Sequence, residues 1–314
     1  ILVSGFLIAL GVLHHLFGGR VPASSPPDAE PQAPALGLEN GTAIAGASLP
    51  GLQVLRRLGV GGMGVVYEAL DQRLDRKVAI KRMREEICAD PREKERFLRE
   101  ARTVAHLRHP NIVEIYYILN DGEYLVFEHV DGQTVHELIQ AGGKLSLPKA
   151  LEVLRGTCAA LDYAHARGVI HRDLKPSNIM VDREGKVRVM DFGVARQAKD
   201  SLSRLSMTNT VVGTPPYMAP EQEQGVVRKE SDVYALAICL FEMLTGQLPF
   251  SGVGAGMLMA KLNKNYIPPT RMTAGLPEGI DEVLANALNP DPDLRIRSAG
   301  EFLAALEALS GLRR

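Results

Sequence analysis

The sequence predicts an α+β fold, in which a β-rich first part with one helix precedes a mainly helical second part. Residues 64–83 carry β-rich runs and a polar turn, with alternation around "KVAIK". Further along, "SDVYALAICLFEMLTG" has the length and apolar content of a buried helix. The chain has 314 residues, 46% hydrophobic and 23% charged, which is ordinary globular composition with material for a sizeable core.

Charge and cysteine content narrow the class of protein. The formal net charge is −1, so the chain gives no global indication of nucleic-acid binding. Cys88, Cys158 and Cys239 lie far apart and show no metal-site spacing. The last two fall in apolar helical patterns, which favours reduced thiols and a reducing compartment.

The N-terminal region differs from the rest. The chain starts at Ile1 without a methionine, and we expect it to be a fragment. Residues 1–17 carry no formal charge and would span roughly 26 Å as a helix, against a hydrocarbon core of about 30 Å. We therefore predict a transmembrane helix over residues 1–20, with a signal peptide and a buried helix of another domain as alternatives. Arg20 favours a cytoplasmic location for the chain on its C-terminal side. Residues 21–50, with six prolines and many alanines, predict a disordered linker.

The first motif of the folded part is "LGVGGMGVVYEAL", in which Gly59, Gly61 and Gly64 form G-x-G-x-x-G. A dinucleotide-binding fold would need a helix directly afterwards, whereas the sequence continues as strands. The glycines are therefore expected in a β-hairpin, where small residues let the backbone approach phosphates closely.

Lys81 and Glu100 are the next candidates. Lys81 lies in the third strand, where a lysine is usually a solvated edge residue. Glu100 lies on or beside the apolar face of the helix "DPREKERFLREARTVAHLRH", where an unpaired carboxylate would be costly. A buried Lys81–Glu100 ion pair would explain both, and leaves the ammonium within reach of phosphate oxygens.

The stretch "VIHRDLKPSNIM" places Asp173, Lys175 and Asn178 close together, and Pro176 argues against a continuous helix through them. Such a polar loop between apolar runs is not typical of a core. Asp191, in "DFG", ends a strand before a glycine; it is either a turn residue or a carboxylate that holds a divalent cation.

Taken in order, the glycine-rich hairpin, "VAIK", Glu100, "HRDLKPSN", "DFG" and "APE" (Ala219 to Glu221) resemble the protein kinase signature. The resemblance covers about residues 52–310 and is closest to bacterial serine/threonine kinases with a eukaryotic-like fold. It implies a two-lobed architecture, with a small antiparallel β-sheet lobe at 51–131 and a larger, mainly helical lobe at 132–310.

The resemblance also implies a role for each motif. Asp173 would accept or orient the substrate hydroxyl proton, Lys175 would stabilise the transferred phosphoryl group, and Lys81, paired with Glu100, would contact the ATP phosphates. Asn178 and Asp191 would hold Mg²⁺, with Mn²⁺ as a substitute. The expected nucleotide contacts are Gly59, Val60, Gly61, Gly62, Met63, Gly64, Val66, Ala79, Lys81, Phe127, Glu128, Val130 and Met180.

Regulation is expected in the segment before "APE". Thr210, or its neighbour Thr208, lies where family members carry an activating phosphate. Arg172 and Arg196 are expected to converge on such a phosphate and form charge-assisted hydrogen bonds with it.

The sequence therefore predicts a serine/threonine protein kinase that uses Mg-ATP, acts on Ser/Thr hydroxyls of proteins and activates itself by autophosphorylation. We expect a single-pass membrane protein with a cytoplasmic kinase domain, no nucleic-acid partner, and homodimerisation through the N-lobe. The alternative is a pseudokinase that binds ATP as a scaffold, which predicts loss of Lys81, Asp173, Asn178 or Asp191; all four are present. Phosphoryl transfer to a small molecule is a third alternative. It fits poorly, because small-molecule kinases resemble this family around the catalytic loop but lack the "GT…APE" segment found here.

Overall fold

Five antiparallel strands form the first layer of the fold, in the order β1-β2-β3-β5-β4. The computed structural model describes residues 49–61, 64–84, 89–192, 216–309 and 311, all of which belong to one compact unit, Asn40–Arg314. The strands are β1 (Leu52–Gly61), β2 (Gly64–Asp71), β3 (Arg76–Met83), β4 (Ile115–Leu119) and β5 (Tyr124–Glu128). This arrangement confirms the predicted antiparallel sheet.

The helix between β3 and β4 is α1 (Pro91–Ala105). It begins where the Asp90 side chain accepts a hydrogen bond from the Arg92 backbone N–H, and Pro91 occupies the first turn. Phe97, Ala101 and Val104 recur at helical spacing and are buried. This apolar stripe packs α1 into the main core and thereby fixes which face of the helix points inward.

The second part is mainly helical, as predicted. It contains a small sheet of β6 (Gly132–Thr134), β7 (Ile179–Asp182) and β8 (Val187–Val189). Its helices are α2 (Val135–Gly142), α3 (Leu147–His165), α4 (Pro220–Glu223), α5 (Lys229–Thr245), α6 (Ala255–Leu262), α7 (Pro269–Met272), α8 (Ile280–Ala287) and α9 (Ala299–Leu309). Every residue of α5 from Glu230 to Leu244 is buried, so this helix is the centre of the second part.

Two hydrophobic clusters hold these layers together. A small one covers one face of the first sheet and includes Val78, Ile80 and Val126. The main cluster begins under α1 and continues through β7 and β8 into α3 and α5. Because one continuous core joins the sheet to the helices, the residues at their junction are held in fixed positions.

The predicted transmembrane helix at 1–20 and nearly all of the linker at 21–50 lie outside the described residues. Among the helices of the described ranges, none has the length and apolar character that crossing a bilayer requires.

Candidate active site

A cleft of about 400 Å³ opens where the first sheet meets the β6–β8 sheet. The strands of the first sheet and the connection after β5 supply its upper wall and back edge, and Met180 and Met190 lie on the opposite side. The lining includes eight residues that the sequence predicts to contact nucleotide: Gly59, Val66, Ala79, Lys81, Phe127, Glu128, Val130 and Met180.

The glycine-rich segment forms the predicted hairpin, with Gly61 opposite Gly64 at its end. Val60 is 66% exposed, and neither Val60 nor Gly64 belongs to the lining of the cleft. Gly64 has φ +152, and a Cβ there would lie 1.8 Å from the backbone oxygen of Arg82 in β3. Close approach of two strands therefore requires glycine at this position. Gly62 and Met63 lie outside the described residues.

Lys81 forms an ion pair with Asp191, and the predicted Lys81–Glu100 pair is wrong in this structure. The Lys81 Nζ lies 2.9 Å from both Asp191 Oδ1 and Asp191 Oδ2. Burial would raise the pKa of Asp191, but the charge and hydrogen bonds of Lys81 outweigh it and lower that pKa below its ordinary value. The prediction paired Lys81 with Glu100 because a carboxylate on the apolar face of the next helix needs a cation. The fold instead brings in one that is 110 residues away, and it occupies the ammonium with both oxygens.

Glu100 contacts a different cation. Its Oε1 lies 3.8 Å from Arg172 Nη1, while its Oε2 is buried without a hydrogen-bond partner among the described residues. Burial raises the pKa of Glu100, and the charges of Arg172 and Arg96 offset this only in part. Glu100 therefore lies on the inward side of α1, as predicted. Its side chain is 22% exposed there and contacts Arg172 of the 171–178 loop.

The 171–178 loop brings Asp173, Lys175 and Asn178 together. Lys175 Nζ donates to Asp173 Oδ2 at 3.0 Å, and Asn178 Nδ2 donates to the Asp173 backbone oxygen at 2.8 Å. Asp173 is thus held on both its side chain and its backbone. Since the Asn178 bond uses the amide nitrogen, the carboxamide oxygen is the atom that would bind a cation.

Asp232, at the start of α5, fixes the backbone of this loop. Its two carboxylate oxygens accept from the N–H groups of His171 and Arg172 at 2.8 and 2.9 Å. His165 Nε2 lies 2.7 Å from the same carboxylate. Arg172 has φ 70, a strained conformation for an arginine, and such strain persists only where surrounding contacts enforce it.

The rings of His171 and Phe192 are in contact at an interplanar angle of 51°, with centroids 4.6 Å apart, and His171 Nε2 lies 2.9 Å from the Met190 backbone oxygen. The histidine is fully buried. Its ring joins the 171–178 loop to the segment that carries Asp191, and these contacts support a structural role for His171 over an acid–base role.

Of the four regulatory candidates, three lie outside the described residues: Thr208, Thr210 and Arg196. Arg172 is described, and it forms an ion pair with Glu100. The predicted convergence of two arginines on this segment therefore stays a prediction.

Sequence reasoning missed three polar residues around the cleft and the adjacent helices. Glu68 is buried on β2, where Arg56 and Lys77 each approach it at 2.6 Å. Gln222 in α4 and Lys261 in α6 are also buried. The available signal was a charged or amide side chain at a position where the local apolar spacing predicts burial, as for Lys261 four residues after Met257.

Comparison with known families gives the identity. The family described as the protein kinase domain matches residues 52–305. The chain belongs to the protein kinase family. This confirms the family predicted from the ordered motifs and the two-part fold.

Among the curated relatives of this kinase are bacterial serine/threonine kinases. The chain is 40% identical over 277 residues to the probable serine/threonine-protein kinase PknB of Bifidobacterium longum, covering 83% of this chain and 39% of that protein. It is 39% identical over 260 residues to PknB of Mycolicibacterium smegmatis, covering 79% and 41%. The chain therefore spans about two fifths of the length of these relatives.

Solved structures show the same fold. A crystal structure of the Mycobacterium tuberculosis PknI kinase domain matches with a TM-score of 0.69 and 27% identity, covering 86% of this chain and all of that one. A structure of Rad53 residues 1–466 in complex with AMP-PNP matches with a TM-score of 0.66 and 25% identity, covering 81% and 64%.

Proposed function

We propose that this chain transfers the γ-phosphoryl group of Mg-ATP to serine or threonine hydroxyls of proteins. The observation that supports this most is the 171–178 loop, which holds Asp173, Lys175 and Asn178 within hydrogen-bond distance of one another. Lys81 and Asp191 line the adjacent cleft. The residues whose loss would indicate a non-catalytic scaffold are therefore present, and those of the loop are mutually oriented.

The chemistry follows from these side chains. The Asp173 carboxylate would accept the proton of the acceptor hydroxyl as its oxygen bonds to the γ-phosphorus. The bond between that phosphorus and the β–γ bridging oxygen breaks, and ADP leaves. Lys175 would place its ammonium beside the charge on the moving phosphoryl group, so the loop supplies orientation and electrostatic stabilisation.

Asp191 and Asn178 fit the requirements of a divalent cation. Both offer oxygen ligands, and the lowered pKa of Asp191 keeps it ionised at neutral pH. Mg²⁺ bound there would neutralise part of the charge on the phosphates. Within the described residues no group of three or more His, Cys, Asp or Glu is arranged to hold a metal. Magnesium commonly uses one or two protein ligands with phosphate oxygens completing its shell.

For regulation, we propose that phosphorylation of Thr210, or of Thr208, activates the enzyme. Support comes from Arg172, which precedes the proposed catalytic base and already contacts a carboxylate, Glu100, at 3.8 Å. A phosphate of about −2 charge would compete for this arginine, together with Arg196.

The same proposal divides the chain into a membrane anchor at 1–20, a linker at 21–50, an N-lobe at 51–131 and a C-lobe at 132–310. The kinase lobes would be cytoplasmic, and two copies would associate through the N-lobe. Support for the anchor is the uncharged run of residues 1–17. Leu7→Arg would place a charge in the middle of that run and should move the protein from the membrane to the soluble fraction after cell lysis. Retention on the membrane would contradict the anchor.

The test of the enzymatic proposal is transfer of label from γ-labelled ATP to a generic acceptor protein, followed by identification of the phosphorylated residue type. Asp173→Asn should abolish transfer while leaving Mg-ATP binding intact. Asp293→Asn is a matched control, because this carboxylate is 72% exposed and pairs with Arg228 on the surface. Magnesium-dependent ATP binding without any transfer by the parent chain would favour the scaffold alternative. The observation that favours the scaffold alternative is the Lys81–Asp191 ion pair, because these two side chains are engaged with each other.

A further inference from the structure

Lys261 in α6 is a lysine with no exposed side-chain surface. Its Nζ donates to the Met218 backbone oxygen at 2.7 Å and lies 3.5 Å from Glu223 Oε1. A buried ammonium is costly unless it is paired, so these contacts are needed to hold it there. Lys261 thus connects α6 to the chain just before α4.

That piece of chain, residues 216–219, is here called the acceptor segment. Three consecutive residues of it are fixed by three different helices. Tyr217 OH donates to Glu242 Oε2 in α5 at 2.5 Å, and Met218 O accepts from Lys261 in α6. Ala219 N donates to Gln222 Oε1 in α4 at 2.9 Å.

The acceptor segment is also coupled to the proposed catalytic loop. Gln222 Nε2 donates to the Arg172 backbone oxygen at 3.3 Å. Arg172 directly precedes Asp173, whose carboxylate we propose as the base. The position of Met218 relative to Asp173 is therefore set by a short chain of hydrogen bonds that ends, on the far side, at Lys261.

Helix α6 depends on this lysine more than a core helix would. Its only two buried residues are Met257 and Lys261, whereas Met259 and Leu262 are 53% and 39% exposed. Removing the ammonium would remove its hydrogen bond to the Met218 carbonyl and would weaken the connection between α6 and the acceptor segment. It would not open a large cavity in the main core.

We propose that Lys261 is a positioning residue for the protein substrate. It fixes the Met218 carbonyl, and hence the acceptor segment along which the polypeptide carrying the target hydroxyl lies beside Asp173. This inference rests on the proposed kinase function and adds that one buried lysine outside the nucleotide cleft governs use of the protein acceptor. Lys261 is not among the residues that line that cleft, so ATP binding does not depend on it.

The test compares steady-state kinetics of the full chain and of Lys261→Met, with KM measured separately for a generic acceptor protein and for ATP. We expect the KM for the acceptor to rise roughly tenfold, the scale of one lost hydrogen bond from a charged donor. The KM for ATP should stay within about twofold, because the cleft is unchanged.

Two further variants make the test specific. Lys261→Gln keeps a donor that reaches less far, so its acceptor KM should lie between those of the parent and Lys261→Met. If Lys261→Met does not fold, the comparison of Lys261→Gln with the parent decides. Lys264→Met is the matched control, because its Nζ also donates to a backbone oxygen, that of Ala285 at 3.3 Å, but away from the acceptor segment. It should leave both KM values unchanged.

The outcomes separate the two proposals. If the parent chain transfers no phosphate to any acceptor, the kinase function itself is wrong and the role of Lys261 is wrong with it. If the parent transfers phosphate and a folded Lys261 variant shows an unchanged acceptor KM, only the positioning role is wrong. Equal rises in both KM values would also overturn it, because they would indicate a general structural effect.

Discussion

Replacing Arg295 by methionine removes the cation from a buried ion pair that joins α4 to the connection between α8 and α9. The Arg295 side chain is fully buried, and its Nη1 and Nη2 donate to Glu221 Oε1 and Oε2 at 2.8 and 3.0 Å. The same guanidinium donates to the backbone oxygens of Glu230 at 2.7 Å and Asn289 at 2.9 Å. Methionine fills similar space without supplying any of these donors, so Glu221 becomes a buried charge without its partner.

The expected loss of stability is large. Removing one member of a buried ion pair costs about 3–5 kcal/mol, because the remaining charge is left uncompensated. For a domain of this size about 1 kcal/mol corresponds to roughly 2–4 °C, so the melting temperature should fall by about 6–20 °C. Part of the loss should return in the double variant Glu221→Gln/Arg295→Met, which leaves no buried charge.

The pH dependence gives a second, independent check. Burial would raise the pKa of Glu221, but the hydrogen bonds and charge of Arg295 outweigh it and lower that pKa below 4.5. A carboxylate with a lowered folded pKa contributes stability above its unfolded pKa and loses it as the pH falls through the folded value. The difference in melting temperature between parent and Arg295→Met should therefore be full at neutral pH and shrink below about pH 4.5.

The assay is thermal unfolding followed by circular dichroism at several pH values. Arg99→Met is the control, because it removes an arginine whose pair with Glu95 lies at the surface, with side chains that are 72% and 76% exposed. Its melting temperature should stay close to that of the parent. Two results would refute the assignment of this stability to the ion pair. One is a loss of less than about 1 kcal/mol in the free energy of unfolding for Arg295→Met, and the other is a difference in melting temperature from the parent that stays the same at acid pH.

Three other substitutions test the site. Asp232→Asn should lower kcat while leaving the KM for ATP near the parent value, because the carboxylate that fixes the backbone of the 171–178 loop is lost; an unchanged kcat would contradict this. Glu100→Gln should raise the melting temperature above about pH 4.5 and not below it, since burial raises the pKa of Glu100 and its ionisation destabilises the fold as the pH rises. A gain that is equal at all pH values would show that ionisation is not the cause. Tyr234→Phe should be neutral or stabilise by about 1 kcal/mol in urea unfolding, because the Tyr234 hydroxyl is buried without a hydrogen-bond partner among the described residues; a clear loss would reveal a partner.

Several features of the fold and of the site could be predicted from local sequence alone. The β1–β2 hairpin follows from glycine spacing and alternation, and α1 from its proline, its cap and its apolar stripe. The 171–178 loop follows from polar residues around a proline. Each of these signals acts over a few residues, where backbone preference and burial pattern are set by the neighbouring side chains.

The ordered motifs also predicted many of the residues that line the cleft. Eight of the expected nucleotide contacts line it, although they come from both parts of the fold. That prediction used the resemblance to a family, since spacing along the chain carries no information on which strands become neighbours.

Only the tertiary structure decided which charges pair. Lys81 meets Asp191 from 110 residues away, while Glu100 lies next to Arg172, and Lys261 reaches a carbonyl 43 residues away. An ion pair between distant elements depends on how each helix and loop is placed, because that placement decides which of several carboxylates lies within hydrogen-bond distance of the cation. The sequence by itself determined the candidates for these contacts, and packing of the core around α1 and α5 selected among them.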